Sequence, residues 1–209
     1  MDITELLKSN LGSQLISGIS GKTGTSENET TSVVNAAAPA LLGMLKKNAS
    51  TEQGAAGILG ALGKHDGSIL DNLSGFLGSG DTSDGDGILG HILGEKRSTV
   101  ESAISKQTGV NSSKVSSILT MLAPVIMGYL GKQTKSSGNV TNSSGLGGML
   151  GGLLGSSGSA SGGNILSSIL DQDGDGQVGL NDAIAAVSGK GKSSGGGLLG
   201  MLGRLFGKK

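Results

Sequence analysis

Each of the chain's two prolines sits in an apolar run of helical spacing and is followed four residues later by glycine: Pro39 with Gly43, and Pro124 with Gly128. Proline removes a backbone amide and crowds the carbonyl four residues back, so a helix that retains one must be held by its surroundings. Val34, Ala37, Ala38, Leu41, Leu42 and Leu45 fall on one face of the first run. Leu119, Leu122, Ala123, Ile126, Met127 and Leu130 repeat that face in the second. A shift of 85 residues carries 15–47 onto 100–132 without a gap, pairing Ile19 with Ile104, Thr23 with Thr108, Gly24 with Gly109 and Lys47 with Lys132. The pattern predicts an all-α, multi-helical bundle built from two sequence-similar repeats. Pro39 and Pro124 should kink their helices by taking the amide that would bond to Asn35 or Thr120. The small Gly43 and Gly128 would let another helix approach closely.

The core of such a bundle has to be aliphatic, because the 209 residues include two Phe, one Tyr and no Trp. Each buried Leu or Ile contributes roughly 1.5–3 kcal/mol. That supports a modest helical core, though not one running through a whole chain with 41 glycines. Packed helices separated by flexible Gly/Ser-rich segments are expected. Basic and acidic residues balance at 16 each, which argues against nucleic acid as a partner, since phosphate neutralisation needs a basic surface. The absence of Cys removes disulfide and thiolate chemistry. The first residues lack a basic segment followed by an apolar run, so no signal peptide is expected. No apolar stretch reads as long enough to span a bilayer. The cytoplasm is therefore the default expectation, with non-Sec export left open.

Along the chain, residues 3–19 read as one amphipathic helix and 21–25 as a turn. Ser26-Glu27-Asn28-Glu29 reads as a capping box opening the first proline helix, with Asn111 at the matching cap position. Ser50-Thr51-Glu52-Gln53 reads as another. Residues 79–87 read as a linker, and 88–93 and 98–107 as helical pieces. Residues 134–163 read as a mostly flexible segment in which 146–154 docks only transiently. The expected organisation is a first helical repeat with a degenerate loop (1–80), a second helical repeat (81–133) and a Gly/Ser-rich linker (134–163). A calcium-loop helix pair completing the second repeat (164–189) and a basic amphipathic tail (190–209) follow.

The chemistry-bearing motif is Asp171-Gln172-Asp173-Gly174-Asp175-Gly176-Gln177-Val178-Gly179-Leu180-Asn181-Asp182. A calcium ion takes six to eight hard oxygens, and this stretch fits an EF-hand-type loop. Asp171, Asp173 and Asp175 supply carboxylates at positions 1, 3 and 5. Gly176 permits the sharp turn, the Gln177 carbonyl serves position 7, and Val178 anchors the loop on the core. Gly179 leaves position 9 to water. Asp182 closes position 12, where the shorter Asp in place of the usual Glu, as in dockerin-like loops, puts bidentate closure in doubt. An Asp/Gly-rich surface turn is the plainer alternative. In the first half, Asp66-Gly67-Ser68-Ile69 aligns with Asp175-Gly176-Gln177-Val178. Leu62 and Lys64 then replace the first two acids, and since an ammonium repels a cation, that copy is expected to be metal-free.

Other signals are weaker. Gly85-Asp86-Gly87-Ile88-Leu89-Gly90 matches a dinucleotide-binding glycine pattern, but no strand precedes it and its acids would repel a pyrophosphate. Residues 81–87 could at most hold a cation loosely. His91 and Glu95 have the spacing of a helix-surface pair. No nucleophile–base constellation is legible, so no enzyme and no small-molecule substrate are expected. Residues 198–206 with Lys208 and Lys209 form a cationic amphipathic candidate, for docking on the bundle or on a membrane surface.

The chain resembles the bacterial domain of unknown function 937, a group that includes YidB-like proteins. The resemblance rests on Asp66-Gly67-Ser68-Ile69-Leu70-Asp71, on Gly87-Ile88-Leu89-Gly90-His91-Ile92-Leu93-Gly94, on Met121-Leu122-Ala123-Pro124-Val125-Ile126-Met127-Gly128 and on Leu170-Asp171-Gln172-Asp173-Gly174-Asp175-Gly176. It implies an all-helical fold and no established activity. The family often carries Asp-x-Asp before the first Asp-Gly-Ser-Ile, and Leu62 and Lys64 depart from that pattern. The leading expectation is a non-enzymatic calcium-binding helical protein acting through a protein partner or self-assembly. The alternative is a membrane-surface or envelope-associated protein working through residues 198–206.

Overall fold

A computed structural model describes residues 3–79, 82–138 and 140–156, all in one unit; Asp171, Asp173, Asp175, Gln177, Asp182 and the basic tail lie outside the described residues. The described residues are helical, with no strand among them. In order they form α1 (Ile3–Lys8), α2 (Asn10–Thr23), α3 (Glu27–Asn48), α4 (Glu52–Lys64), α5 (Ser68–Asp71), α6 (Leu73–Ser79) and α7 (Ser83–Leu93). A 3-10 turn (Gly94–Lys96), α8 (Arg97–Thr108), α9 (Ser112–Ser137) and α10 (Ser143–Ser156) follow.

Helix ends are set by side chains that satisfy the orphan amides of a first turn. Ser26 and Glu29 form the expected capping box of α3, with the Ser26 hydroxyl accepting the Glu29 amide at 3.2 Å and the Glu29 carboxylate accepting the Ser26 amide at 2.8 Å. Asn111 Oδ1 accepts the Ser113 amide at 2.9 Å and starts α9. The expected single helix over 3–19 is broken at Ser9, whose hydroxyl caps α2 through the Gly12 amide. The turn expected at 21–25 narrows to Gly24, in the left-handed region at φ 63°. The box expected at Ser50 does not form. Thr51 is the cap, bonded to the Gly54 amide at 3.1 Å, and Gly54 has no side chain with which to reach back.

Two further expectations fail for reasons of packing. The stretch 79–87 is not all linker, because α7 begins at Ser83. Its Gly85 lies so close to the backbone of Thr120 in α9 that a Cβ would overlap the Thr120 carbonyl oxygen. Pro124 deprives that carbonyl of its helical amide. The segment 134–163 is helical over α10, capped by Asn142 through the Gly145 amide at 2.9 Å. Leu146, Leu150 and Leu153, spaced i, i+4, i+7, are buried as α10 packs on α3 and α4. Their combined apolar area outweighs the helix-weakening glycines between them.

The core lies around α3 and α9. Every residue of α9 from Ile118 to Gly131 is buried, as α2, α3, α4, α5, α7 and α8 pack around it. By length and composition α9 could cross a membrane, which the sequence was not expected to allow. Most of its apolar window is buried inside this fold, as in a core helix. Close approach depends on glycine at three α9 contacts: Gly85 against Thr120, Gly128 against Ile69, and Gly131 against the His65 carbonyl.

Candidate functional site: the first acidic loop

The loop between α4 and α5 leads into Asp66-Gly67-Ser68-Ile69, the stretch that aligns in sequence with Asp175-Gly176-Gln177-Val178 of the acidic motif. Leu62, where that motif has its first Asp, is 2 % exposed in the last helical turns of α4. Asp66 Oδ1 accepts the Ser68 amide at 3.0 Å, closing a local turn. Gly67 follows at φ 94°, a conformation that suits glycine. Ile69 then meets Gly128 of α9, which holds the loop on the core. The Asp-Gly-x-apolar element thus closes a tight turn and anchors it on α9.

Lysines of α9 face its acids. Lys135 Nζ lies 3.7 Å from Asp66 Oδ2, and Lys132 Nζ lies 3.4 Å from Asp71 Oδ1. The Ser68 amide, the Ser68 hydroxyl and the Lys135 ammonium hold the Asp66 carboxyl below the ordinary carboxylate range. All four charged side chains are about half exposed or more, so these pairs contribute little stability. Among the described residues no three or more His, Asp or Glu side chains group in a way that could hold a metal ion.

The other sequence candidates are absorbed into structure. Gly85 to Gly90 lie inside α7, so from Asp86 onward their amides are committed to a helix rather than curled around a phosphate. His65 Nδ1 donates to the Ala61 carbonyl at 2.8 Å and Nε2 lies 3.0 Å from Asp84 Oδ2, tying the end of α4 to the first turn of α7. α7 ends at Leu93, so His91 and Glu95 do not share a helix. A polar cluster that sequence reasoning missed joins α7, α8 and α9. Arg97 donates to Asp86 Oδ1 at 2.7 Å and to Glu101 Oε1 at 2.9 Å, and Ser116 donates to Glu101 at 2.8 Å. Burial works against the Arg97 charge, but the bonds to Glu101 and Asp86 outweigh it and raise its pKa. The i, i+4 spacing of Arg97 and Glu101 was the visible signal; the contact with Asp86 was not.

The family described as "Bacterial protein of unknown function (DUF937)" matches residues 5–133, more than half of the chain. The chain belongs to this family. The match takes in α2–α8, most of α1 and all but the end of α9, together with the lysine-faced loop, whereas α10 and the motif at 171–182 lie beyond it. No curated protein and no solved structure matches the chain.

Proposed function

We propose that this DUF937 member, YidB-like within its family, is a non-enzymatic calcium-binding helical protein that acts as an interaction or assembly module. The observation that carries the reading is the first loop. Its Asp66-Gly67-Ser68-Ile69 adopts a left-handed glycine turn with the acid bonded to the amide two residues on and the apolar residue anchored on a helix. The motif at 171–182 has the same element preceded by the two acids that Leu62 and Lys64 replace, so it has the oxygens that the first loop lacks. The first loop's acids have lysine counter-ions instead.

The reading includes a duplication. It is supported by pairs 85 residues apart: Thr23 and Thr108 each donate to the carbonyl four residues back at 2.8 Å, Gly24 and Gly109 both end their helices at positive φ, and Ser26 and Asn111 both cap the next. It extends to the first turns of α4 and α10 at a shift of 91, where Thr51 and Asn142 cap through Gly54 and Gly145, and where Ala55 and Leu146 are buried. These helices pack crosswise, α4 on α9 and α10 on α3.

Calorimetric titration tests the metal. About one calcium per chain is expected, with a Kd of roughly 10⁻⁵–10⁻³ M, in the range of extracellular modules. Asp173→Ala with Asp175→Ala should abolish binding and Asp66→Ala should leave it intact. Two ions per chain, with one lost on Asp66→Ala, would overturn the assignment of the first loop.

A further inference from the structure

α10 does not dock on the helix it follows. It comes after α9 in the chain, yet it packs on α3 and α4. α4 likewise comes after α3 and packs chiefly on α9. The helix after each proline helix therefore completes the packing of the other one. This is the topology of a reciprocal helix exchange, closed within a single chain. The side of it made by α10 is built to open. Its hold is apolar and lies on one stripe, since Leu146, Leu150 and Leu153 are buried and α10 carries no charged residue. Its glycines make it a weak helix by itself, so it persists as a helix only where that stripe is covered. The hinge before it lies at the surface. Residues 135–138 at the end of α9 are exposed, and Gly138 turns the chain in the left-handed region at φ 61°, with open space where a Cβ would stand. Opening at Gly138 frees α10 without disturbing a buried turn.

We propose that two copies of this chain exchange α10 about the Gly138 hinge, each docking its α10 on α3 and α4 of the other. The interaction surface is the face of α3 and α4 that α10 covers, and the partner is a second copy. The apolar contacts are the same in the closed and the exchanged form. The two differ in the hinge and in the entropy of association, so their ratio follows concentration and the residue at 138. In the closed form position 138 holds a conformation that strains any residue with a Cβ. In the exchanged form the chain runs on from α9 and releases it. This inference names the partner in the assembly part of the proposed function and rests on that part alone, because no step uses the acidic loop.

The test uses the full chain, unfolded and refolded at rising concentration so that α10 is free to exchange, with mass read by sedimentation. A dimer whose fraction grows with concentration is expected. Gly138→Ala strains the closed turn and should raise the association constant roughly tenfold, whereas Gly138→Asn, which tolerates left-handed backbone, should stay nearer the wild type. Cross-linking reads the route. The chain has no Cys, Lys46 is exposed, and a Cβ on Gly151 would stand 3.5 Å from Lys46 Nζ, an ordinary contact. Lys46→Cys and Gly151→Cys in separate chains, refolded together and treated with a short bis-maleimide, should give a covalent dimer that neither gives alone. A chain that stays monomeric even as Gly138→Ala would overturn the proposal. So would a dimer without the 46–151 cross-link, or one whose association constant Gly138→Ala leaves unchanged. Calcium titration of the same protein keeps the two readings apart. Exchange that fails while calcium binds overturns this proposal alone, and calcium binding that fails while α10 exchanges overturns only the metal reading.

Discussion

At the scale of single residues, glycines of equal standing in the sequence have opposite roles. A Cβ on Gly131 would overlap the His65 carbonyl, a backbone atom that cannot swing away. Gly131→Ala should therefore lower stability by about 1–3 kcal/mol, the usual cost of overpacking. Gly60 lies on an exposed face of α4, with open space where a methyl group would stand. Gly60→Ala should raise stability by about 0.4–1 kcal/mol by restricting the unfolded chain. Urea midpoints of the two variants check both signs. Acid stability also belongs at this scale. The Ser26 amide and hydroxyl hold the Glu29 carboxyl below its ordinary range, as Ser68 and Lys135 do for Asp66. The folded state binds these protons less readily than the unfolded one. The contribution is thus present above the ordinary carboxylate pKa and is lost as pH falls through the lowered value. Glu29→Gln should flatten the fall of Tm on the acid side while also lowering Tm at neutral pH, as a melting series against pH would read.

At the scale of elements, position in the fold overrides local propensity. α10 carries Gly145, Gly147, Gly148, Gly151 and Gly152, which read as a flexible tether, yet its leucine stripe is buried on α3 and α4. Leu150, 0 % exposed, should cost about 2–5 kcal/mol when changed to Ala. If α10 docked only transiently, the midpoint of urea unfolding would barely move. α7 shows the same thing at a start: its acids Asp84 and Asp86 lie in the first turn, where the helix dipole favours them, and each has a cationic or histidine partner.

At the scale of the molecule, the two halves share one core. α4 and α5 lie on α9, α10 lies on α3, and α7 touches both long helices. Residues 1–80 expressed alone should therefore lose cooperative unfolding and most amide dispersion, because α4 and α5 would expose the apolar faces they bury on α9. A sharp melt with dispersed amide signals from that fragment would show that the first half has a core of its own.

The proline-bearing helices, their caps at Ser26 and Asn111, the Gly109 that ends α8 and the all-α class were legible from sequence alone. Each of these depends on residues within one or two turns, through side-chain capping, backbone conformation or apolar periodicity. The start of α7, the docking of α10, the Arg97–Asp86 contact and the lysines facing Asp66 and Asp71 were decided by tertiary structure. Each joins residues far apart in the chain, and its energy exists only once the helices have packed. The metal-ligand spacing proposed for 171–182 is likewise a local pattern in the sequence, and its test lies in solution.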